Sequence, residues 1–405
     1  MRILYLNTTY SGGGAERVTR QIYDGMKKRG HEVYEIVCYN RRGQVEDSHV
    51  HVLYEGIAGK ILLRVQTGNR GNANLTIPYA IWYISCFVKN NKIDVIHLNN
   101  PHDSFLGIRN IGKLQKLCPV VWTLHDFWAL TGHCAFPFGC DDRWKKGCIS
   151  CEHLGNYPRL RRDVSGRLFE EKKKWISGSG IYLTVPSDWM KKQVEESYLK
   201  DEPCEVICNS LDLTKWKALD KQAVRKKYGF ETDKMILAFV AADMKIPQKG
   251  MYYLLKVLEQ LDPKKYALIV AGKSADELEK IKSHFEVKDF GYIKDQTVMN
   301  EFYALADVMV NPSVYETFGL VNIEAMASGT PVLSFPVCVM SEVIGVDGGW
   351  QTDEVSADSM RIKIEDLKKN PEEIENKTKT CRKSVEMRYD EQKMLDSYEE
   401  LYRKL

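Results

Sequence analysis

One stretch, Val308 to Ser334, reads VMVNPSVYETFGLVNIEAMASGTPVLS and narrows what this chain can fold into more than any other. It opens as a β-branched apolar run suited to a buried strand. It passes through the turn-rich Asn311, Pro312 and Ser313 and continues as a helical pattern to Gly329. A buried strand handing directly to a helix is the repeating unit of a parallel α/β sheet. Glu316 and Glu324 lie eight residues apart across that junction. The first is expected in the loop at the strand's mouth, the second one or two turns into the helix on a similar face. Between them Thr317, Phe318, Gly319 and Leu320 would present backbone N–H groups at a helix N-terminus, a natural place for an anion. One carboxylate beside such amides and a second nearby suit the hydroxyls at the two ends of a nucleotide-sugar. Two solvated glutamates flanking an ordinary turn account for the spacing equally well.

The same alternation runs through the rest of the chain. ILYLN, a glycine-rich turn from Ser11 to Gly14, and a helix with Val18, Ile22 and Met26 on one stripe form a first unit, stopped by Gly30. HEVYEIVCYN, IDVIHLNN, PVVWTLHD and IYLTVPSDW read as further strands, the last closing the first series. Several end in polar residues, as parallel strands do where they deliver ligand groups at their carboxyl ends. After the segment Cys204 to Trp216 a second series runs MILAFVAAD, a helix after Gly250, YALIVAGKS, VKDFGY, ADVMVNPS and TPVLSF. At 405 residues the chain is too long for one ordinary core and suits two α/β domains. The expected division is 1–205 together with a last helix over 390–405, and 206–389.

Ile77 to Val88, the longest apolar run, is too short to span a bilayer. The chain opens on the strand RILYLN and not on a charged-then-apolar leader, so a cytoplasmic location with eleven reduced cysteines is expected. The net charge of +3 hides an asymmetry: residues 1–205 carry 29 Lys and Arg against 22 Asp and Glu, the remainder 29 against 33. Much of the excess is Arg159, Arg161, Arg162, Arg167, Lys172, Lys173 and Lys174, with Tyr157, Phe169 and Trp175 interspersed. Such a run is commonly a solvated helix face. It also suits peripheral contact with an anionic inner membrane, where each basic residue adds about 1 kcal/mol. Nucleic acid is excluded as a partner, because the excess is small and no binding motif accompanies it.

Two motifs fail on inspection. Gly12-Gly13-Gly14-Ala15-Glu16-Arg17 imitates a dinucleotide fingerprint but has Arg17 where the third glycine belongs. Gly272-Lys273-Ser274 imitates a phosphate loop, yet the glycine needed five residues before Gly272 is Ala267. Hydride transfer and NTP hydrolysis fall with them.

The stretch from Val308, with the preceding FGYIKDQTVMNEFYALADVMVNPS and the following EAMASGTPVL, resembles the E-x7-E region of retaining glycosyltransferases of the GT-B fold, specifically family 4. Weaker likeness covers nearly the whole chain. The resemblance implies an α/β protein of two Rossmann-like, doubly wound parallel-sheet domains facing a cleft. The N-terminal domain would bind acceptor, the C-terminal domain donor, and the C-terminal helix would cross back. It implies retaining transfer from a UDP- or GDP-sugar to a saccharide or polyprenyl-diphosphate-linked acceptor. TLHDFWALTGHCAF is similar to a subgroup that builds bacterial surface polysaccharides, exopolysaccharide and capsule, of the colanic-acid type. A non-catalytic sugar-nucleotide-binding subunit and a GT-B-fold epimerase are the competing classes. The segment CNSLDLTKW resembles the family's hinge, with Cys208-Asn209-Ser210 in place of the usual Pro-Asn-Gly.

A retaining transfer must stabilise an oxocarbenium-like sugar and a departing diphosphate, so it needs positive charge and amide donors more than a strong nucleophile. By resemblance Glu316 contacts the donor-sugar hydroxyls, Phe318, Gly319 and Leu320 line the diphosphate, and Glu324 holds the ribose. Lys249, before Gly250 at a helix start, matches the phosphate-binding lysine; the family's neighbouring arginine is missing, with Lys245 as a stand-in. Gly13 and Gly14 match the glycine loop that approaches the donor phosphates and the acceptor. His125 matches the N-domain histidine facing the donor sugar, with Asp126 to orient it. No cofactor is required for the chemistry, since lysine and amides replace a metal at the diphosphate. Separately, Cys134, Cys140, Cys148 and Cys151 fall within eighteen residues, and Cys148-x2-Cys151 has the spacing of half a structural zinc site, with His133 and His153 alongside. Four reduced thiols acting as small hydrophobes are the other reading.

Overall fold

The computed structural model describes residues 1–405 apart from 41–44, 69–72, 141, 231 and 274–275. It divides into two units, Met1–Cys208 with Leu395–Leu405, and Asn209–Met394.

The first unit is built on seven strands: β1 (Arg2–Thr9), β2 (Glu32–Tyr39), β3 (Val50–Val52), β4 (Val95–Leu98), β5 (Val120–Thr123), β6 (Tyr182–Val185) and β7 (Cys204–Val206). They lie in the order β3-β2-β1-β4-β5-β6-β7, every neighbouring pair parallel. IYLTVPSDW therefore does not close the unit, because β7 adds a further strand to β6, and a cut at 205 would fall inside it. Three residues with no alternation give β7 too weak a periodic signal to read from sequence.

The second unit holds β8 (Met235–Asp243), β9 (Tyr266–Lys273), β10 (Val287–Asp289), β11 (Val308–Asn311), β12 (Val332–Ser334) and β13 (Gly349–Gln351). Their order is β10-β9-β8-β11-β12-β13, again all parallel. Both faces of this sheet are covered: Ile236, Ala238, Ile269 and Met309 are buried as fully as their alternates Leu237, Phe239, Leu268, Val270, Val308 and Val310, so the strands are near-continuous apolar runs. Leu254, Val257 and Leu258 pack against them from the helix Met251–Gln260, and Met360, Ile364 and Leu367 from the helix Ala357–Lys369. In both sheets the strand order reverses beside the first strand of the series, at β1/β4 and at β8/β11. A crevice at the carboxyl ends of such a pair is where open α/β sheets bind ligands.

Leu395–Leu405 belongs to the first unit through a buried polar cluster. Tyr402 Oη meets His97 Nδ1 at 2.5 Å and Tyr5 Oη at 3.5 Å. Tyr398 Oη meets Thr123 Oγ1 at 3.0 Å, and Thr123 Oγ1 meets both His97 Nε2 and Thr184 Oγ1 at 2.7 Å. Burial pushes the His97 imidazole down to about 3, with His125 adding to the shift. The unfolded chain therefore takes up a proton first as pH falls, and folding stability present above about pH 6.5 drains away towards pH 3. The loss should reach on the order of 3 kcal/mol by pH 4. Urea midpoints of wild type and His97→Gln, compared between pH 7 and 4, check this. A difference that does not change with pH would refute it.

Candidate active site

In the second unit the site grows from the neighbouring ends of β8 and β11. Beyond β8 the chain makes a short turn, Pro247–Lys249, and reverses at Gly250, whose φ of 75° starts the helix Met251–Gln260. Beyond β11, Val314 N donates to Gln248 O at 2.9 Å, tying this loop to that turn. The pairing brings Lys249 Nζ within 2.5 Å of Glu316 Oε1, to which Ser313 Oγ also donates at 3.2 Å. Glu316 is buried, and Lys249 is its charge partner. Gly319, at φ 78°, caps the helix Leu320–Ala327, and a Cβ there would fall 2.7 Å from Asn322 Nδ2. The N–H groups of that helix's first turn begin at Leu320, four residues after Glu316. Phe318 is buried against Tyr389, with ring centroids 5.5 Å apart.

Glu324 sits in the second turn of the same helix and is almost wholly buried, accepting from Tyr303 Oη at 3.1 Å. Lys245 pairs with Asp276 at 2.8 Å, both largely exposed, and not with Glu316. Gly272 continues β9 at φ 131° with its Cβ position against Ala241 O, so the Gly-Lys-Ser imitation is strand; Ser274 lies outside the described residues.

In the first unit the corresponding ends are those of β1, β4 and β5. Gly13 caps the helix Gly14–Lys28, and its N–H is taken by Glu16 Oε2 at 2.7 Å, while Thr9 Oγ1 donates to Glu16 Oε1. Gly14 begins the helix and is exposed. His125 follows β5 and meets Asn99 Oδ1 through Nε2 at 2.8 Å. Burial pushes its imidazole down to about 4, so it is neutral at pH 7. Asp126 was expected to orient His125. It accepts from His102 Nε2 at 3.0 Å and from Trp128 N at 2.8 Å, and its charge counters part of the burial shift on His125. Asn99, His102, His125 and Asp126 line one small recess. Asn99 and His102 are not among the expected site residues, and Ser313 is expected only as part of a turn. Asn99 was signalled only by the polar end of IDVIHLNN, and His102 by nothing local.

Lys172, read as part of a basic surface, is fully buried. Its ammonium donates to Trp128 O and Thr131 O and lies 3.6 Å from the Trp128 ring centre, and burial pushes it down to about 7. The helix periodicity places it inward with Leu168, Phe169 and Ile176, and the two carbonyls replace its water. Arg159, Arg161, Arg162, Arg167, Lys173 and Lys174 are exposed as expected.

Cys134, Cys140, Cys148 and Cys151 line one recess with His133 and His153. Within it, Gly132 N donates to Cys148 Sγ at 3.0 Å, Cys151 Sγ faces His133 Nε2 at 3.6 Å, and His153 Nε2 donates to Gly139 O at 2.7 Å. Burial pushes the Cys134 thiol up to about 12 and Cys148 up to about 11. Among the described residues no three His, Cys, Asp or Glu side chains are arranged to hold a metal ion.

Comparison with known proteins places this geometry. A profile for Glycosyltransferase Family 4 matches residues 12–215, half of the chain, and one for glycosyl transferases group 1 matches residues 220–384. The chain belongs to glycosyltransferase family 4. Escherichia coli (strain K12) WcaC, whose name assigns it as a glycosyl transferase to colanic acid biosynthesis, is 24% identical over 375 residues, 87% of this chain and 88% of that protein. Sucrose-phosphate synthase from Thermosynechococcus elongatus superposes with a TM-score of 0.76 at 18% identity, over 100% of this chain and 98% of the other. Anabaena HepE, solved in complex with UDP, gives 0.71 at 16% identity over 100% of both chains. This family 4 glycosyltransferase has the GT-B fold, as the resemblance implied.

Proposed function

We propose that the chain transfers a sugar, with retention of anomeric configuration, from a UDP- or GDP-sugar to a saccharide or polyprenyl-diphosphate-linked acceptor. The setting would be surface polysaccharide synthesis, exopolysaccharide or capsule, at the cytoplasmic side of the membrane. The observation carrying this is the pairing of Lys249 with Glu316 at the mouth of β8 and β11, directly before the helix capped by Gly319. In the proposed complex the diphosphate takes Lys249 and the amides of Phe318, Gly319 and Leu320 leading into the helix. Lys249 leaves Glu316 for the phosphates, freeing that carboxylate to accept from donor-sugar hydroxyls. The leaving group's growing charge is then met by an ammonium and fixed N–H dipoles, which is where such catalysis gains most. Glu324 would hold the ribose. His125, neutral through burial, offers a hydrogen bond without a positive charge that would oppose the oxocarbenium-like sugar. Gly13 and Gly14 would approach the donor phosphates and the acceptor, with the Glu16 carboxylate releasing the Gly13 N–H. WcaC by its name and HepE by its bound UDP support the pathway and the donor class respectively.

The test is the product. A panel of UDP-, GDP-, ADP- and dTDP-sugars identifies the donor by thermal shift and hydrolysis, and NMR of early product then reads the new linkage. An axial donor should give an axial product, with EDTA leaving the rate nearly unchanged. Inversion would sink the retaining reading, a strict EDTA requirement would sink the metal-free diphosphate site, and epimerised donor without transfer would favour the epimerase.

Zinc at Cys134, Cys140, Cys148 and Cys151 requires the thiols to close in from where they stand. Metal analysis of protein made without a His-tag decides it. More than half an equivalent of zinc establishes the closure, and less than about a tenth leaves four reduced thiols.

A further inference from the structure

The helix Gly56–Thr67, GIAGKILLRVQT, is amphipathic the wrong way round. Its inward side is Gly59, Leu63, Gln66 and Thr67. Gly59 presses on the Tyr54 backbone, where a Cβ would stand 2.5 Å from the carbonyl carbon; Gln66 Oε1 accepts from Tyr79 N at 2.8 Å, and Thr67 is the helix's only buried residue. The outward side carries the large apolar residues: Ile57 is 80% exposed, Ile61 58% and Val65 73%, on one stripe at four-residue spacing. Lys60 and Arg64, also exposed, form the adjacent stripe. The bond to Tyr79 joins this helix to the start of the next, Pro78–Asn91, on whose first turns Trp82 is 60% exposed. A helix turning isoleucine and valine to water while seating polar residues inward implies a covering partner.

The charge of the region selects that partner. From Gly56 to Ile93 there is no aspartate or glutamate, against five Lys and Arg, in a chain that holds 55 acidic residues. A second copy seated on the same face would bring its lysine and arginine stripe against the first. An anionic bilayer accepts both stripes at once, with the aliphatic residues among acyl chains and Lys60 and Arg64 at the headgroups. Exposed tryptophan is the residue enriched at that depth. We propose that the helix Gly56–Thr67, with Trp82, is the element that seats this protein on an anionic lipid surface. The inference rests on the membrane setting of the proposed function and places the contact at this helix rather than at the stretch Arg159 to Lys174, of which Lys172 is buried.

Co-sedimentation of the full chain with phosphatidylglycerol-containing and with pure phosphatidylcholine vesicles tests it, using Ile61→Glu/Val65→Glu, Lys60→Glu/Arg64→Glu and Arg161→Glu/Arg162→Glu/Lys173→Glu. The substituted residues are exposed, and unchanged thermal shifts with nucleotide check folding. Wild type should bind anionic vesicles in a salt-sensitive way, and the first two variants should lose at least about tenfold in that binding. If only the third variant loses binding, the contact lies at the stretch Arg159 to Lys174; the membrane reading stands and this inference is overturned. No vesicle binding by wild type overturns both. A wild-type dimer converted to monomer by Ile61→Glu/Val65→Glu would instead assign the face to a second copy.

Discussion

Glu316→Ala should lower transfer by at least about a hundredfold while nucleotide binding survives, and Glu324→Gln should mainly weaken nucleotide binding. Glu316 is buried and accepts from Lys249 and Ser313, so its carboxylate is already oriented and partly desolvated before substrate arrives. Hydrogen bonds to a charged partner in such surroundings contribute about 1.5–3 kcal/mol each, and a donor sugar offers more than one hydroxyl. Glutamine is the better probe at Glu324, because alanine would also strand the Tyr303 hydroxyl inside the unit and confuse binding with folding. Isothermal titration with UDP and GDP, beside initial rates, separates the two effects. Near-wild-type transfer by Glu316→Ala would remove the central claim about this site, and unaltered nucleotide affinity in Glu324→Gln would take the ribose away from Glu324.

Gly250→Ala is expected to destabilise the second unit by about 2–5 kcal/mol and to abolish donor binding. Gly250 has φ 75°, and a Cβ there would lie 1.9 Å from Pro312 O, backbone that cannot turn aside as a side chain could. Left-handed geometry costs an L-residue roughly 1–2 kcal/mol, and relieving such an overlap a further 1–3. Relief would push the Lys249 turn away from the loop after β11, undoing the Val314–Gln248 bond and the Lys249–Glu316 pair together. Gly229→Ala supplies the control, since Gly229 has φ 61° with nothing within 4 Å of its Cβ position. Urea midpoints should fall modestly for Gly229→Ala and severely for Gly250→Ala. Equal losses would show that the close approach to Pro312 carries no weight.

Both expectations concern positions that sequence made visible, and the reason is local. MILAFVAAD is a nine-residue apolar run and forms β8 from its first residue to its last. The strand-to-helix junction at Glu316 carries its own turn signals. By contrast β3, β7 and β13, three residues each, do not stand out in the sequence, whereas β10 and β12, equally short, are legible within VKDFGY and TPVLSF, so length alone does not decide it. Lys172 shows a different limit. In a run of charges it is indistinguishable from Lys173 and Lys174, and only the Trp128 ring and two carbonyls from forty residues earlier make its burial tolerable. His102 and Asp126 likewise meet only because β4 and β5 are neighbours, a pairing made by the sheet and not by spacing.

The polar cluster around His97 also fixes when the first unit can finish folding. Its sheet is complete once Val206 has been synthesised, yet the tyrosines that cover Tyr5, His97, Thr123 and Thr184 are Tyr398 and Tyr402, which follow the second unit in the chain. On the ribosome this unit waits, with buried hydroxyls and an imidazole still open to water, until the whole second unit has been translated. The polar cluster of the first unit can therefore close only after the second unit has been translated.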